Sequence, residues 1–279
     1  MSSIKKRNTG TTIVFIVLIL VLVVYLAPLM LVIFGSFKSY SEIMTNVLSV
    51  PQKFTFQNFS NVFSSMNYPQ SFLNTLIVTV IGVTGIVILG SLAGYKLSRV
   101  KTKYSYVIFM FCIMPMIIPF QSFMITLVKV SKQLGLIGNL YGMGIIYWGL
   151  GAPLSIFLYH GFVKSIPHEL EECAMLDGCS PLRLFVSIIF PMLKPVTASV
   201  IVINAMWIWN DFLLPLLIIG SSGDNRTLQL SAYGFMGQYK MEWQNIMAGA
   251  ILIIIPALII YLIFQKNIVK GMVSGAVKG

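Results

Sequence analysis

The sequence predicts an all-α polytopic membrane protein with six transmembrane helices and short helices in one cytoplasmic loop. Hydrophobic residues make up 57% of the 279 residues and charged residues 10%, whereas a soluble domain has about 25% charged residues. Apolar runs of about 20 residues, long enough to cross a bilayer, recur along the chain. Lys and Arg lie mostly at the ends of these runs, as topology signals do. The net charge of +11 therefore indicates membrane topology and not nucleic-acid binding.

Six spans are expected in order along the chain. The first follows the basic triplet Lys5–Arg7, and its apolar run of about 22 residues exceeds the about 7–15 of a signal peptide, so we expect it to be retained. Pro115 and Pro119 predict a bend in the third span. The predicted spans are Ile13–Phe34, Thr75–Tyr95, Tyr104–Leu127, Leu140–Val163, Val196–Ile219 and Ile246–Phe264.

The distribution of basic residues predicts the orientation of these spans. With a cytoplasmic N-terminus, 13 Lys and Arg fall in inside segments and 6 in outside segments, and short cytoplasmic loops carry the excess of positive charge. Both termini are therefore expected in the cytoplasm, and the longest cytoplasmic loop covers about residues 164–195. No loop is long enough for a separate domain, so one transmembrane domain is expected over residues 1–279.

That loop contains the stretch "ELEECAMLDGCS", which holds half of the eight acidic residues of the chain. Residues 169–176 contain no Gly or Pro and predict a short helix, and Gly178 stands where a helix ends in a left-handed residue. Ser180 and Pro181 predict the start of a second helix. Pro191 and Pro195 interrupt the chain before the fifth span. The apolar face of the second helix is predicted to contain Leu182, Phe185, Ile188 and Ile189.

Two interpretations fit this acidic helix–turn–helix loop. Two amphipathic helices can rest on the inner leaflet, but that surface is often anionic and attracts Lys and Arg. A protein partner with basic residues fits the charge better.

The stretch "EECAMLDGCSPLRLFVSIIFP" resembles the EAA loop of ABC importer permeases, with Cys173 and Phe190 standing where Ala and Leu are usual. The wider context, "WNDFLLPL" and the ending "GAVKG" are similar to the maltose-type sugar permeases. The resemblance implies a type I importer fold and coupling helices that dock in a cleft of an ATPase subunit. The motif positions are occupied by Glu172, Ala174, Gly178, Ile188 and Pro191.

The resemblance implies that Glu172 pairs with a basic residue of the ATPase and that Gly178 makes the turn between the coupling helices. Lys278 in the tail either contacts the ATPase dimer or belongs to a solvated terminus. We expect Glu171 to add only solubility and charge. Of the coupling candidates, Glu172 and Gly178 carry the assignment, whereas Glu169 and Asp177 add mainly charge. The full set of coupling candidates is Glu169, Glu172, Cys173, Ala174, Asp177, Gly178, Ile188 and Pro191.

Catalytic and cofactor motifs are missing from the sequence. It contains no GxxxxGK[ST] phosphate loop and no HExxH or GxSxG motif. Cys112, Cys173 and Cys179 form no CxxC pair, so packing is favoured over a disulfide or zinc site. The chain is therefore expected to bind no cofactor and to be no enzyme, with ATP and Mg used by a partner ATPase.

Asp211 is the one acidic residue inside a predicted span, beside Asn210 and near Trp207. A charge at membrane depth costs about 2.5–3.5 kcal/mol and needs a partner or a water-filled cavity. Indole rings and amides suit sugars, so these three residues are candidates for the substrate pathway. Alternatively, they hold the span to a neighbour or cap a helix broken near Pro215.

The function implied by the resemblance is the permease subunit of an ATP-driven sugar importer in a bacterial or archaeal inner membrane, working by alternating access on an oligosaccharide of the malto- or raffinose type. The implied partners are a second, homologous permease, an ATPase dimer, an extracytoplasmic sugar-binding protein and membrane lipid, with no nucleic acid. The alternative is an ion-coupled secondary transporter, which would place several ionisable groups at the midplane. Only Asp211 is a candidate for such a group.

Overall fold

The computed structural model describes residues 9–220, 223–236 and 241–276. Within these ranges the chain is built from α-helices and contains no strand, only an isolated antiparallel bridge between Met236 and Met241. The helices are α1 (Thr9–Ser36), α2 (Tyr40–Thr45), α3 (Gln57–Ser65), α4 (Tyr68–Arg99), α5 (Lys103–Ile113), α6 (Phe120–Gln133), α7 (Leu140–Val163), α8 (Glu169–Leu176), α9 (Pro181–Leu184), α10 (Phe190–Met192), α11 (Lys194–Asn210), α12 (Leu213–Ile218), α13 (Leu228–Ala232) and α14 (Trp243–Ala276).

Three of these helices are long and apolar enough to cross a membrane on their own, namely α1 from Thr12, α4 and α7. Two bent pairs of helices are long and apolar enough only when the two members are taken together: α5 and α6 meet at 102°, and the α9–α10 segment meets α11 at 77°. In α14, residues 243–259 form a shorter apolar helix by the same criteria. The bounds of α7 agree with the predicted fourth span, and the sixth predicted span, Ile246–Phe264, lies within α14. The fifth predicted span, Val196–Ile219, runs past the end of α11 at Asn210 and includes α12.

The bends lie where proline restricts the backbone. Pro115 lies in a 3₁₀ turn, Met114–Met116, and Pro119 immediately precedes α6. Pro191 and Pro195 lie in the first turns of α10 and α11, on either side of the second bend. Proline lacks the backbone N–H of a helical hydrogen bond, and its ring clashes with the carbonyl four residues earlier. A straight helix is therefore disfavoured at each of these positions, and the chain bends there.

Chain contacts divide the protein into two compact units, residues 1–68 with 232–255 and residues 69–231 with 256–279. In the first unit the side chain of Lys38 is fully buried. Its Nζ donates to the carbonyls of Asn46 and Val47 at 3.0 and 3.1 Å and to Ser49 Oγ at 3.1 Å. Asn58 Nδ2 donates to the carbonyls of Ser36 and Lys38, both at 2.8 Å. These bonds fasten the segment after α1 to the end of that helix.

The second unit holds the main apolar core, in which α4, α7 and α11 bury aliphatic and aromatic side chains against one another. Glycines let α4 and α7 approach closely, because a Cβ on Gly144 would clash with Ile81 and one on Gly151 would clash with Ile86. Gly149 faces open space and does not contribute. Tyr159 and Thr197 join α7 to α11 through a 2.9 Å hydrogen bond between their hydroxyls.

Candidate functional site

The acidic loop forms the helix–turn–helix that its sequence predicts. Helix α8 begins after His168, whose carbonyl accepts from Glu171 N at 2.9 Å and Glu172 N at 3.2 Å. Its three glutamates lie in the first turn, where the positive end of the helix dipole favours acids.

Gly178 ends α8 with a φ of +78°. Its N–H donates to Met175 O, and the N–H of Cys179 donates to Ala174 O, both at 3.0 Å. This is the Schellman pattern, which favours glycine because side chains disfavour the left-handed region. The prediction of a glycine turn at this position is confirmed.

The second helix of the loop starts as predicted and buries most of its predicted apolar face. Ser180 Oγ accepts from Arg183 N at 3.4 Å, and Pro181 occupies the first turn of α9. The chain then forms a π-helical segment over Phe185–Ile189, in which Phe190 N donates to Phe185 O. Leu184 and Ile189 are buried at a spacing of five residues, which matches i→i+5 bonding. Of the predicted apolar face, Phe185 and Ile189 are buried and Ile188 is half-buried, whereas Leu182 is 70% exposed.

A buried ion pair anchors α8 to the end of α4. Arg99 Nε donates to Glu171 Oε1 at 2.6 Å, and the two side chains are 9% and 8% exposed. Tyr95 Oη donates to Glu171 Oε2 at 2.8 Å. Arg99 Nη2 also donates to the carbonyl of Ile166 at 2.9 Å, just before α8. The guanidinium therefore holds both the first turn of α8 and the segment leading into it.

The expectation that Glu171 adds only solubility and charge is wrong, because its carboxylate is buried with two donors. Glu171 and Ala174 are three residues apart and are both buried, so they share the packed face of α8. Arg99 and Tyr95 were missed as well, since the sequence does not reveal which acid turns toward α4.

The remaining coupling candidates divide by exposure. Ala174 is buried and Ile188 half-buried, and the other candidates are exposed: Glu169, Glu172, Cys173, Asp177, Gly178 and Pro191. Among the described residues Glu172 makes no ion pair. Leu176 is 88% exposed and Met175 is 53% exposed, beside the exposed Leu182. The loop thus presents an acidic and apolar surface that nothing in the described chain covers.

The membrane candidates near the end of α11 lie together. Asp211 Oδ2 accepts from Tyr147 Oη at 2.8 Å, while Oδ1 accepts from Leu213 N at 3.0 Å and Leu214 N at 3.4 Å. The carboxylate therefore caps α12 and ties it to α7. The helix break at Asp211 and Phe212 lies near Pro215, as the alternative interpretation expected, and Pro215 itself lies inside α12.

The two neighbouring candidates keep more exposed surface than Asp211. Trp207 is 40% exposed and meets Tyr147 edge-to-face, with 5.3 Å between the ring centroids. Asn210 is exposed, and its Nδ2 donates to Met206 O at 2.8 Å. Trp209 is 2% exposed and packs against Phe72. Lys278, the tail candidate, lies outside the described residues.

The apolar helices and the anchored helix–glycine–helix loop define the class of protein as a membrane protein with several apolar helices and a structured loop. Over residues 86–274 the chain matches the family "Binding-protein-dependent transport system inner membrane component", and it belongs to this family. Its members are the permeases of ABC importers, in which the ATPase is a separate subunit. The chain is therefore a multi-pass inner-membrane channel subunit and not an enzyme, as predicted.

Curated relatives and solved structures agree with this family. The chain is 40% identical over 254 residues to the "Probable starch degradation products transport system permease protein AmyC" of Thermoanaerobacterium thermosulfurigenes, covering 91% of this chain and 92% of that protein. It is 36% identical over 231 residues to the "Melibiose/raffinose/stachyose import permease protein MelC" of Bacillus subtilis, covering 82% and 83%.

A chain in the crystal structure of a bacterial ABC transporter involved in the import of the acidic polysaccharide alginate superposes with a TM-score of 0.78 at 21% identity, covering 95% of this chain and 99% of that one. At this identity the likeness shows the fold alone, and it supports the predicted type I importer fold. The alternative of an ion-coupled secondary transporter is not favoured.

Proposed function

We propose that this chain forms one half of the translocation pathway of an ATP-driven importer of oligosaccharides of the malto- or raffinose type. Family membership supports transport, and the names of the relatives point to starch degradation products and to raffinose-type sugars. The chain works by alternating access, with both termini and the 164–195 loop in the cytoplasm. One permease domain covers residues 1–279.

The partners follow from what one such subunit lacks. A second, homologous permease completes the pathway, and an extracytoplasmic binding protein delivers the sugar. An ATPase dimer supplies the energy, with ATP and Mg bound there and not on this chain. Within the described residues no three His, Cys, Asp or Glu side chains group to hold a metal ion.

The observation that carries the proposal is that α8 has one exposed acidic side and one buried side that is anchored to α4. One side presents Glu172 and Leu176 to a partner, and the other is fixed to α4 by the pair of Glu171 with Arg99. A basic cleft of an ATPase subunit fits the exposed acids. Because the anchoring pair is buried and hydrogen-bonded, a displacement of α8 by the ATPase is passed to the end of a membrane-spanning helix.

At the other end of the pathway, the Asp211 carboxylate serves as a gating element and not as the first sugar ligand. Both of its oxygens already accept hydrogen bonds within the chain. Trp207 and Asn210 retain the exposed ring and amide that suit a sugar. Lys278 contacts the ATPase dimer in this proposal.

The test is sugar uptake by proteoliposomes containing the chain with its permease, ATPase and binding-protein partners. Glu172→Ala and Gly178→Pro should each lower ATP-driven uptake of radiolabelled maltotriose or raffinose at least tenfold and weaken retention of the ATPase subunit. Asp224→Ala, which removes an exposed acid from the opposite predicted side, serves as the matched control. Normal uptake by both loop variants would contradict the coupling assignment. Uptake driven by an ion gradient without the ATPase would contradict the importer itself.

A further inference from the structure

A cavity of about 570 Å³ lies where the ends of α4 and α7 meet the start of α5. Its volume falls within the about 300–1,000 Å³ that is common for ligand pockets. All of its lining residues belong to the second compact unit. The cavity adjoins the anchor of α8 and shares Arg99 with it.

The charge of this cavity is positive. Arg99, Lys101 and Lys164 line it together with two histidines, and its lining includes no Asp or Glu. Arg99 already donates to Glu171 and to Ile166 O. Lys101 and Lys164 are exposed and form no ion pair within the described part of the chain. Two ammonium groups are thus available to an anion.

Ser98 supplies an independent indication of a ligand. Its side chain is 7% exposed and lines the cavity, and its Oγ has no hydrogen-bond partner among the described residues. Buried hydroxyls in native proteins are nearly always hydrogen-bonded. The Oγ atom itself is covered, so it reaches a ligand oxygen in the cavity when the Ser98 side chain rotates toward it. A phosphate has oxygens to accept from this hydroxyl while pairing with ammonium groups.

We propose that this cavity binds the phosphate group of an anionic membrane lipid. It lies at the ends of two helices that cross the membrane, where a lipid phosphate resides. Tyr106 and Met110 of α5 form part of its wall and are 63% and 38% exposed, and Val107 beside them is 64% exposed. Acyl chains would lie along this apolar face of α5 with the phosphate between Lys101 and Lys164. A free phosphate ion would use the same ammonium groups but would leave the apolar face uncovered.

The experiment uses the full-length chain with its copurifying subunits in nanodiscs of phosphatidylcholine, with or without phosphatidylglycerol. Bound lipid is counted by native mass spectrometry after release from the disc, and the affinity is measured by titrating phosphatidylglycerol. The pocket variant is Lys101→Gln with Lys164→Gln. The control variant is Lys96→Gln with Lys103→Gln, which removes two exposed lysines of the same region that do not line the cavity. Ser98→Ala is a third variant that leaves the net charge unchanged.

The pocket variant should bind phosphatidylglycerol about thirtyfold more weakly, since each lysine near an anionic lipid contributes about 1 kcal/mol and 1.4 kcal/mol is tenfold. The control variant should bind as the unmodified chain does, and Ser98→Ala should weaken binding severalfold. If the pocket and control variants lose the same affinity for phosphatidylglycerol, the binding reflects general charge attraction and the proposal is overturned. The proposal is also overturned if neither variant loses affinity. A third measurement tests radiolabelled inorganic phosphate in phosphatidylcholine discs. If the unmodified chain retains the phosphate, the pocket variant does not, and phosphatidylglycerol fails to displace it, the ligand is the free ion and the lipid assignment is overturned. These readouts do not depend on sugar transport, so they can fail while the proposed function stands.

Discussion

Glu171→Gln should release α8 from the end of α4. Glutamine keeps the size of the side chain and one oxygen acceptor, but it removes the charge that pairs with Arg99. The side chains of the pair are 9% and 8% exposed, and removing one partner of a buried ion pair costs about 3–5 kcal/mol. Because the amide oxygen retains a hydrogen bond, we take the lower value, about 3 kcal/mol. At 1.4 kcal/mol per tenfold, the population with α8 detached rises about 100-fold.

The assay is amide hydrogen exchange of the backbone of α8, which reports local opening in the folded protein. The N–H groups of Cys173–Leu176 should exchange about 100-fold faster in Glu171→Gln. The control is Glu169→Gln, which removes the same charge two residues earlier from an exposed position. A surface substitution changes stability by about 0.5 kcal/mol or less, so its exchange should stay within about twofold of the unmodified chain.

A double variant separates the ion pair from the shape of the site. Arg99→Met with Glu171→Leu replaces both charges by apolar groups of similar volume, and such replacements are often neutral or stabilising. Protection of α8 should therefore return in part in the double variant, because the Tyr95 hydroxyl and the Ile166 carbonyl lose their partners there. If Glu171→Gln exchanges no faster than the Glu169→Gln control, the buried pair does not hold α8 and our account of the anchor is refuted.

Three further outcomes are expected. Gly178→Ala places a side chain at a φ of +78° and should lower stability by about 1–2 kcal/mol, measured as a lower midpoint of thermal unfolding in detergent. Lys38→Met leaves three acceptors without their buried donor. Since hydrogen bonds to a charged group contribute about 1.5–3 kcal/mol, this variant should unfold at a markedly lower temperature than Lys53→Met, which changes an exposed lysine. Tyr147→Phe removes the hydroxyl that donates to Asp211 and should change the uptake rate without changing subunit assembly; an unchanged rate would argue against a gating role.

Hydropathy predicts where the apolar helices of this protein lie, but it does not predict which side of each helix packs against another helix. The fourth span, Leu140–Val163, was located to the residue because long apolar helices stand out against polar loops. In a membrane, however, the lipid-facing side and the packed side of a helix are both apolar. The sequence therefore does not show that Gly144 meets α4 while Gly149 faces open space.

Within the loop, local backbone chemistry was predictable and tertiary pairing was not. Gly178, Ser180 and Pro181 have local conformational preferences that fix a turn and a helix start. Glu171 and Glu172 are chemically identical, and only the position of Arg99, 72 residues earlier in the chain, decides which of them is buried. The π-helical segment after α9 likewise depends on how the loop packs, and so does the exposure of Leu182, one member of the predicted apolar face.

The separation between Arg99 and Glu171 also has a consequence for biosynthesis. At about 5–20 residues per second, the ribosome needs roughly 4–14 s to add the 72 residues that separate them. During that interval Arg99 has no carboxylate partner and counts fully as a positive charge next to a newly inserted helix. In the proposed orientation, the same guanidinium first helps to retain this end of α4 on the cytoplasmic side during insertion. Only after α8 has been synthesised does the Arg99 guanidinium form the buried ion pair with Glu171 that anchors α8 in the folded protein.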